Sequence, residues 1–274
     1  MPEMPEVETI RRSLAVRIQG LTIKETTIKL ARLIKWPTLH EFSASIYGST
    51  IIRLERRAKY LLFYLDNEKV LVVHLRMTGR LNYVSEGKPK DPYSRIIFHF
   101  TNGDSLEYAD TRTLGTLYLM PATELNRIYG LISLGPEPLS DEFTFDYLLS
   151  LVLKRKGKIK SLLLNQKAIG GIGNIYADES LSLAGIHPER VACTLTVIEV
   201  EKLHSAINEV IKKGIEEGGT TFRDYRDADG NKGRFQQELT VYGRKGDPCK
   251  TCGTDVMRTE VAGRGTHFCP NCQK

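Results

Sequence analysis

Two prolines and three carboxylates crowd the first eight residues, Met-Pro-Glu-Met-Pro-Glu-Val-Glu, of a 274-residue chain. Termini are usually frayed, so such dense chemistry invites a reason. Proline is small, and Met1 is expected to be removed, leaving Pro2 as a free secondary amine. An α-amino group titrates near ~8, against ~10.4 for a lysine side chain, so a useful fraction is neutral at physiological pH. A secondary amine attacking a carbonyl-like carbon gives an iminium, an electron sink for later eliminations. Glu3, beside that amine, can donate or accept a proton. A plainer reading makes Pro5 a first-turn helix residue and Glu6 and Glu8 complements to the helix dipole. The two readings are compatible, and these residues alone do not choose between them.

The C-terminus carries the second reactive set. Cys249, Cys252, Cys269 and Cys272 form two CxxC pairs on either side of residues 253–268. Four thiolates at this spacing suit one tetrahedral zinc in a ribbon or finger. A disulfide framework is the alternative, but the chain reads as cytoplasmic and paired CxxC knuckles are not disulfide-like. With all four positions filled, the zinc is structural. Arg258, Arg264, Thr266 and His267 fall between the knuckles on an expected β-hairpin. Cys193 is left over and reads as an inert buried thiol.

These residues must be held by elements the pattern also indicates. Val7, Ile10, Leu14 and Ile18 recur at helical spacing and Gly20 ends the run, which predicts a buried helix from about Pro5 with Pro2 and Glu3 just ahead of it. Residues 21–120 read mostly as short strands separated by turns such as Asn102-Gly103-Asp104, and suggest a β-sandwich or barrel-like domain. The rigid Leu134-Gly135-Pro136-Glu137-Pro138 segment marks a boundary. Beyond it the spacing predicts helices: one capped by Ser140 through Leu153, then 158–166, 174–184 and 197–217. The expected organisation is a 1–133 sandwich domain, a 134–140 hinge, a 141–238 helical domain and a 239–274 zinc finger.

Between two of the helices, Ala168-Ile-Gly-Gly-Ile-Gly-Asn174 permits tight turns and close backbone approach. The N–H groups of the helix starting near Asn174 could face a phosphate. Residues 219–238 are polar, with Thr220, Thr221, Arg223 and Tyr225, and have the composition of a mobile loop or a lid.

With 41% apolar and 26% charged residues the chain reads as soluble and globular. Its apolar runs at 61–65 and 70–73 are far too short to span a bilayer, and acids precede any apolar run, so no secretory signal is expected. A cytoplasmic protein with no membrane partner follows. The net charge of +6 and pI near 9.0 suit a polyanionic partner. The basic residues cluster at Arg53, Arg56, Arg57 and Lys59, at Arg76 and Arg80, and from Lys154 to Lys160.

In order along the chain stand MPEMPEVETIRR, RRAKYLLFYL, HLRMTGRL, DTR, LGPEPL, GGIGNIYADESL and the four-cysteine finger. Over its whole length the sequence resembles the bacterial formamidopyrimidine-DNA glycosylases of the helix–two-turns–helix superfamily. The resemblance implies an α+β fold: an N-terminal β-sandwich with a helix, then a helical domain ending in the zinc finger. It implies a base-excision repair enzyme, both glycosylase and AP lyase, acting on double-stranded DNA containing oxidised purines, and a monomer. Pro2 matches the family nucleophile at C1′, Glu3 the acid at the sugar ring oxygen, Glu6 a second active-site carboxylate and Lys59 the lysine of base excision. The lesion nucleotide is flipped out, and the iminium drives β- and then δ-elimination.

Asn174, Arg264 and Lys160 match residues that contact the DNA backbone. Met77 and Arg112 match two of the three residues that fill the void left by flipping, with Arg112 pairing with the orphaned cytosine. The third departs from the pattern, since Leu114 in DTRTLG stands where the family has Phe. Leucine can wedge a base step but forfeits an aromatic stacking face. Asn165, where the family often has Asp, is a second departure. Rival readings are the sister branch that removes oxidised pyrimidines, against which the PEVET run argues, and an inactive lesion-binding paralogue, against which Pro2, Glu3 and Lys59 argue. An RNA-binding zinc-ribbon protein is more distant.

Overall fold

A computed structural model describes every residue except Met1, Pro89, Arg223 and Asp224; the expected removal of Met1 and the loop residue Arg223 lie outside the described residues. The chain divides into two compact units, Met1–Ile132 with Glu217–Arg234, and Ser133–Glu216 with Phe235–Lys274.

In the first unit, helix α1 (Met4–Ile18) buries Val7, Ile10, Leu14 and Ile18, the stripe its periodicity predicts. There follow β1 (Ile23–Ile28), β2 (Ile34–Trp36), α2 (Leu39–Ile46), β3 (Ile51–Arg57), β4 (Tyr60–Leu65), β5 (Lys69–His74), β6 (Gly79–Val84), β7 (Ser94–Phe100), β8 (Ser105–Asp110), β9 (Thr116–Pro121) and α3 (Tyr129–Ile132). They form a four-stranded sheet in the order β1-β7-β8-β6 and a five-stranded sheet in the order β2-β9-β5-β4-β3. The register sets Leu61 opposite Val73, Phe63 opposite Leu71 and Val73 opposite Leu117. That places their side chains on one face. There they share a core with Phe98, Leu106 and Tyr108 of the other sheet and with α1. The expected sandwich is present.

Residues 21–120 are mostly strands, as expected, with one α-helix among the described residues. Helix α2 follows Pro37, and Thr38 with Glu41 makes its capping box. That signature was present in Thr-Leu-His-Glu and outweighs the β-rich context. Residues 219–238, assigned from sequence to the helical domain, group with the sandwich as far as Arg234. The reason is burial: Tyr225 and Ala228 join the sandwich core, and Tyr83 N–H donates to Ala228 O at 3.1 Å.

The second unit holds α4 (Phe145–Lys154), α5 (Ile159–Leu163), α6 (Asn174–Ala184), α7 (Val197–Glu216) and the hairpin β10 (Met257–Val261), β11 (Arg264–Phe268). Ser140 does not cap α4. The cap is Thr144, whose Oγ1 accepts from Tyr147 N–H at 3.1 Å, while Ser140 O accepts from Phe143 N–H in a separate turn. Helix α5 is shorter than the predicted 158–166 because the chain turns back on itself. Asn165 O takes the N–H groups of Ala168 and Ile169, and the Gln166 amide donates to Ile172 O at 2.7 Å. Two turns thus separate α5 from α6. Asn165 Oδ1 accepts from Lys167 N–H, a bond that an Asp carboxylate would also make. Cys193 is half-buried rather than buried.

Candidate active site

Pro2 and Glu3 are buried immediately ahead of α1, with Glu3 as its N-cap. Glu6, in the first turn, works on both sides of itself. Its Oε2 accepts from Glu3 N–H at 2.8 Å, and its Oε1 accepts from Thr220 N–H at 2.7 Å. A side chain at residue 219 would place Cβ 2.9 Å from the Glu6 Cγ and Oε1 atoms, and the backbone there has φ +81°, so only glycine fits. Tyr225 Oη donates to Gly218 O at 3.0 Å, and Thr221 Oγ1 donates to Tyr225 O at 3.1 Å. Thr220 and Tyr225 therefore tie the root of the loop to α1 through Glu6, while Thr221 braces the loop internally.

Lys59 lies in the two-residue connection between β3 and β4, after Ala58 at φ +50°, and is only 7% exposed. Its charge reaches His74 at the end of β5. Burial, then the cations Arg76 and Lys59, hold the His74 imidazole down at about 3. Nδ1 accepts from Arg76 N–H at 3.0 Å, so the neutral ring carries its proton on Nε2. The ring stands edge-on to Tyr60, centroids 4.5 Å apart.

Asp110, fully buried at the end of β8, organises the segment that carries the wedge candidates. Its carboxylate accepts from Thr78 Oγ1 at 2.6 Å, from the N–H groups of Arg112, Leu114 and Gly115, and from Tyr108 Oη at 3.2 Å. Burial alone would raise its pKa; these donors, Thr78 and Gly115 foremost, reverse that and lower it. A Cβ at residue 115 would lie 1.6 Å from Tyr108 Oη, so the second glycine of this site is also obligatory. Met77 and Leu114 stand 41% and 46% exposed, and Arg112 Nη1 donates to Met77 Sδ at 3.2 Å. The three wedge candidates come from one scaffold.

In the second unit, Asn174 opens α6 and its amide donates to Gly265 O at 2.9 Å. Lys160 is 0% exposed, so it presents no ammonium to solvent or to a DNA phosphate in this conformation. Its Nζ pairs with Asp178 Oδ1 at 2.6 Å and donates to Thr266 Oγ1 at 2.7 Å. Asp178 also takes His267 N–H at 2.9 Å, and its neighbour Glu179 takes the N–H groups of Thr240, Val241 and Tyr242. Lys160 thus holds the finger against α6, while Arg264 is exposed at the tip of the hairpin.

The four thiol sulfurs all lie within 4.8 Å of one another, with Cys252–Cys269 at 3.5 Å and Cys249–Cys272 at 3.9 Å. A tetrahedron with Zn–S near 2.3 Å has edges of about 3.8 Å, so the donors fit. In each knuckle a backbone N–H points at the first sulfur, Thr251 to Cys249 at 3.4 Å and Cys272 to Cys269 at 3.5 Å. The four cysteines are in position to hold one zinc.

Three family models match the chain: the formamidopyrimidine-DNA glycosylase N-terminal domain over residues 1–117, its H2TH domain over 134–226, and the zinc finger found in FPG and IleRS over 246–274. The formamidopyrimidine-DNA glycosylase of Cytobacillus firmus is 46% identical over the whole of both chains. The chain belongs to the formamidopyrimidine-DNA glycosylase family. The Lactococcus lactis Fpg, solved with DNA containing an abasic site, superposes with a TM-score of 0.94 at 37% identity over the whole of both chains. The same Lactococcus protein, solved with DNA containing an oxidised pyrimidine, gives 0.93 at 37% identity and the same coverage. The family's α+β fold and zinc finger are those expected from sequence. Among the described residues no helix is long and apolar enough to cross a membrane. Asp178 and Glu179, which sequence reading did not single out, are buried acids whose partners lie far away in the chain.

Proposed function

We propose that this chain is a base-excision repair DNA glycosylase with AP lyase activity, removing oxidised purines from duplex DNA. The observation that carries the assignment is the Glu6 carboxylate, which ties the buried Pro2–Glu3 terminus to the root of a loop through two N–H groups. Such an arrangement holds an amine nucleophile and a loop over a flipped base in one geometry. In the proposed reaction the Pro2 nitrogen bonds to C1′ as the C1′–base bond breaks, and Glu3 protonates the ring oxygen to open the sugar. The resulting iminium acidifies the adjacent C–H, so the 3′ phosphate leaves, followed by the 5′ phosphate. Lys59 assists departure of the base. Met77, Arg112 and Leu114 fill the vacated space, and Asn174 and Arg264 grip the backbone. Lys160 acts behind them as a positioning residue. On this reading the protein works in the cytoplasm, at the nucleoid, where its DNA substrate lies.

Borohydride trapping on a duplex with one 8-oxoguanine opposite cytosine tests this. A covalent adduct that requires both the lesion and Pro2 is expected, and Pro2→Gly should abolish it. No adduct there but one on an oxidised pyrimidine would assign the chain to that second substrate class. Leu114, which lacks an aromatic face, is the residue that favours this second reading.

A further inference from the structure

Glu8 was expected only to complement the dipole of α1, yet its carboxylate is paired with three arginines. Its carboxylate accepts from Arg11 Nε and Nη2 at 3.0 and 2.8 Å, from Arg12 Nε at 2.8 Å and from Arg56 Nε at 3.2 Å. Burial opposes its charge, but the Arg11 and Arg12 hydrogen bonds, then the Arg11 and Arg56 charges, bring it down to about 2. Arg11 and Arg12 belong to the same helix as Glu8. Arg56 does not: it lies next to the end of β3, and its Nη1 donates to Ala58 O at 3.0 Å. Ala58 is fully buried and held at φ +50°, a conformation costly for a residue with a Cβ. It immediately precedes Lys59.

We infer that Glu8 and Arg56 form a strap that sets the position of the Lys59 ammonium relative to the Pro2 nitrogen. The inference rests on the proposed roles of Pro2 and Lys59. One guanidinium spans two elements, gripping the helix that begins beside Pro2 with one nitrogen and the turn that carries Lys59 with another. Guanidinium is suited to this because its donors have a rigid planar geometry, which an ammonium on a flexible stem cannot reproduce. The Glu8–Arg56 pair is largely buried, with side chains 11% and 12% exposed, so solvent screens it little. Glu8 and Arg56 are positioning residues: they act on the reaction through Lys59.

A double-mutant cycle on the full chain tests the strap. Arg56→Lys keeps the charge and leaves Glu8 compensated by Arg11 and Arg12, so the fold is expected to hold; Glu8→Gln serves as the second variant. A misplacement of about 1 Å costs on the order of 10²-fold in rate. Single-turnover excision of 8-oxoguanine should fall about 10–100-fold in Arg56→Lys. Trapping at a preformed abasic site, which needs Pro2 but not base departure, should change less than about threefold, and the melting temperature and duplex affinity should stay near those of the parent. In a Lys59→Met background the Arg56→Lys change should have almost no further effect on excision, because coupled residues are non-additive. Additive losses, or equal losses of excision and trapping, would overturn the strap. If Lys59→Met alone leaves excision intact, the role of Lys59 is what fails, a result distinct from failure of the strap.

Discussion

Leu114 ends the loop proposed as a wedge in an aliphatic group where a stacking ring would add about 1–3 kcal/mol per base. Its backbone N–H is already anchored on Asp110 at 2.9 Å, so a ring can be introduced without rebuilding the loop. Leu114→Phe should tighten binding to a duplex with an abasic-site analogue by about tenfold, read by titration at constant salt. His74 makes a different prediction, about acid. An unfolded histidine takes up a proton near ~6.5, whereas His74 in the fold resists until about 3. The unfolded chain therefore binds more protons between these values, and stability must fall as pH is lowered. The contribution is whole above about 6.5 and is lost progressively toward 3. His74→Gln should flatten the dependence of the urea midpoint on pH between about 6.5 and 5. Glu8 acts lower: its contribution is present above 4.5 and disappears toward about 2.

Helix α6 is the element on which the second unit depends, because consecutive residues of it accept backbone N–H groups from different stretches of the finger. Asp178→Leu would leave the Lys160 charge buried without its carboxylate, at a cost of roughly 3–5 kcal/mol. Lys160→Met together with Asp178→Leu should recover most of that loss, measured by denaturant unfolding. The bounds of α6, 174–184, were readable from sequence because a glycine run ends where a helical stripe begins. The start of α4 was misplaced because Ser140 and Thr144 are both good caps, and only tertiary packing chose between them. Pro2, Glu3 and the four cysteines were legible because their chemistry is contiguous or regularly spaced. The contacts of Glu6 with Thr220 and of Glu8 with Arg56 were not, since sequence periodicity reports only neighbours along the chain.

At the scale of the molecule, the two units are interleaved in sequence: the sandwich takes back Glu217–Arg234 after the helices have been laid down. A fragment ending at Ile132 would lack Tyr225 and Ala228 from its core and the Thr220 N–H that Glu6 accepts. Such a fragment should melt at a lower temperature than the sandwich in the full chain and give no borohydride adduct. The same interleaving has a consequence for biosynthesis. Domains generally fold in the order in which they leave the ribosome, but this sandwich cannot finish until Arg234 has emerged. The helical unit in turn waits for the last cysteine, Cys272. A nascent chain whose N-terminal residues have long since emerged therefore still lacks the Thr220 contact to Glu6, and the two units are completed only when translation is nearly over.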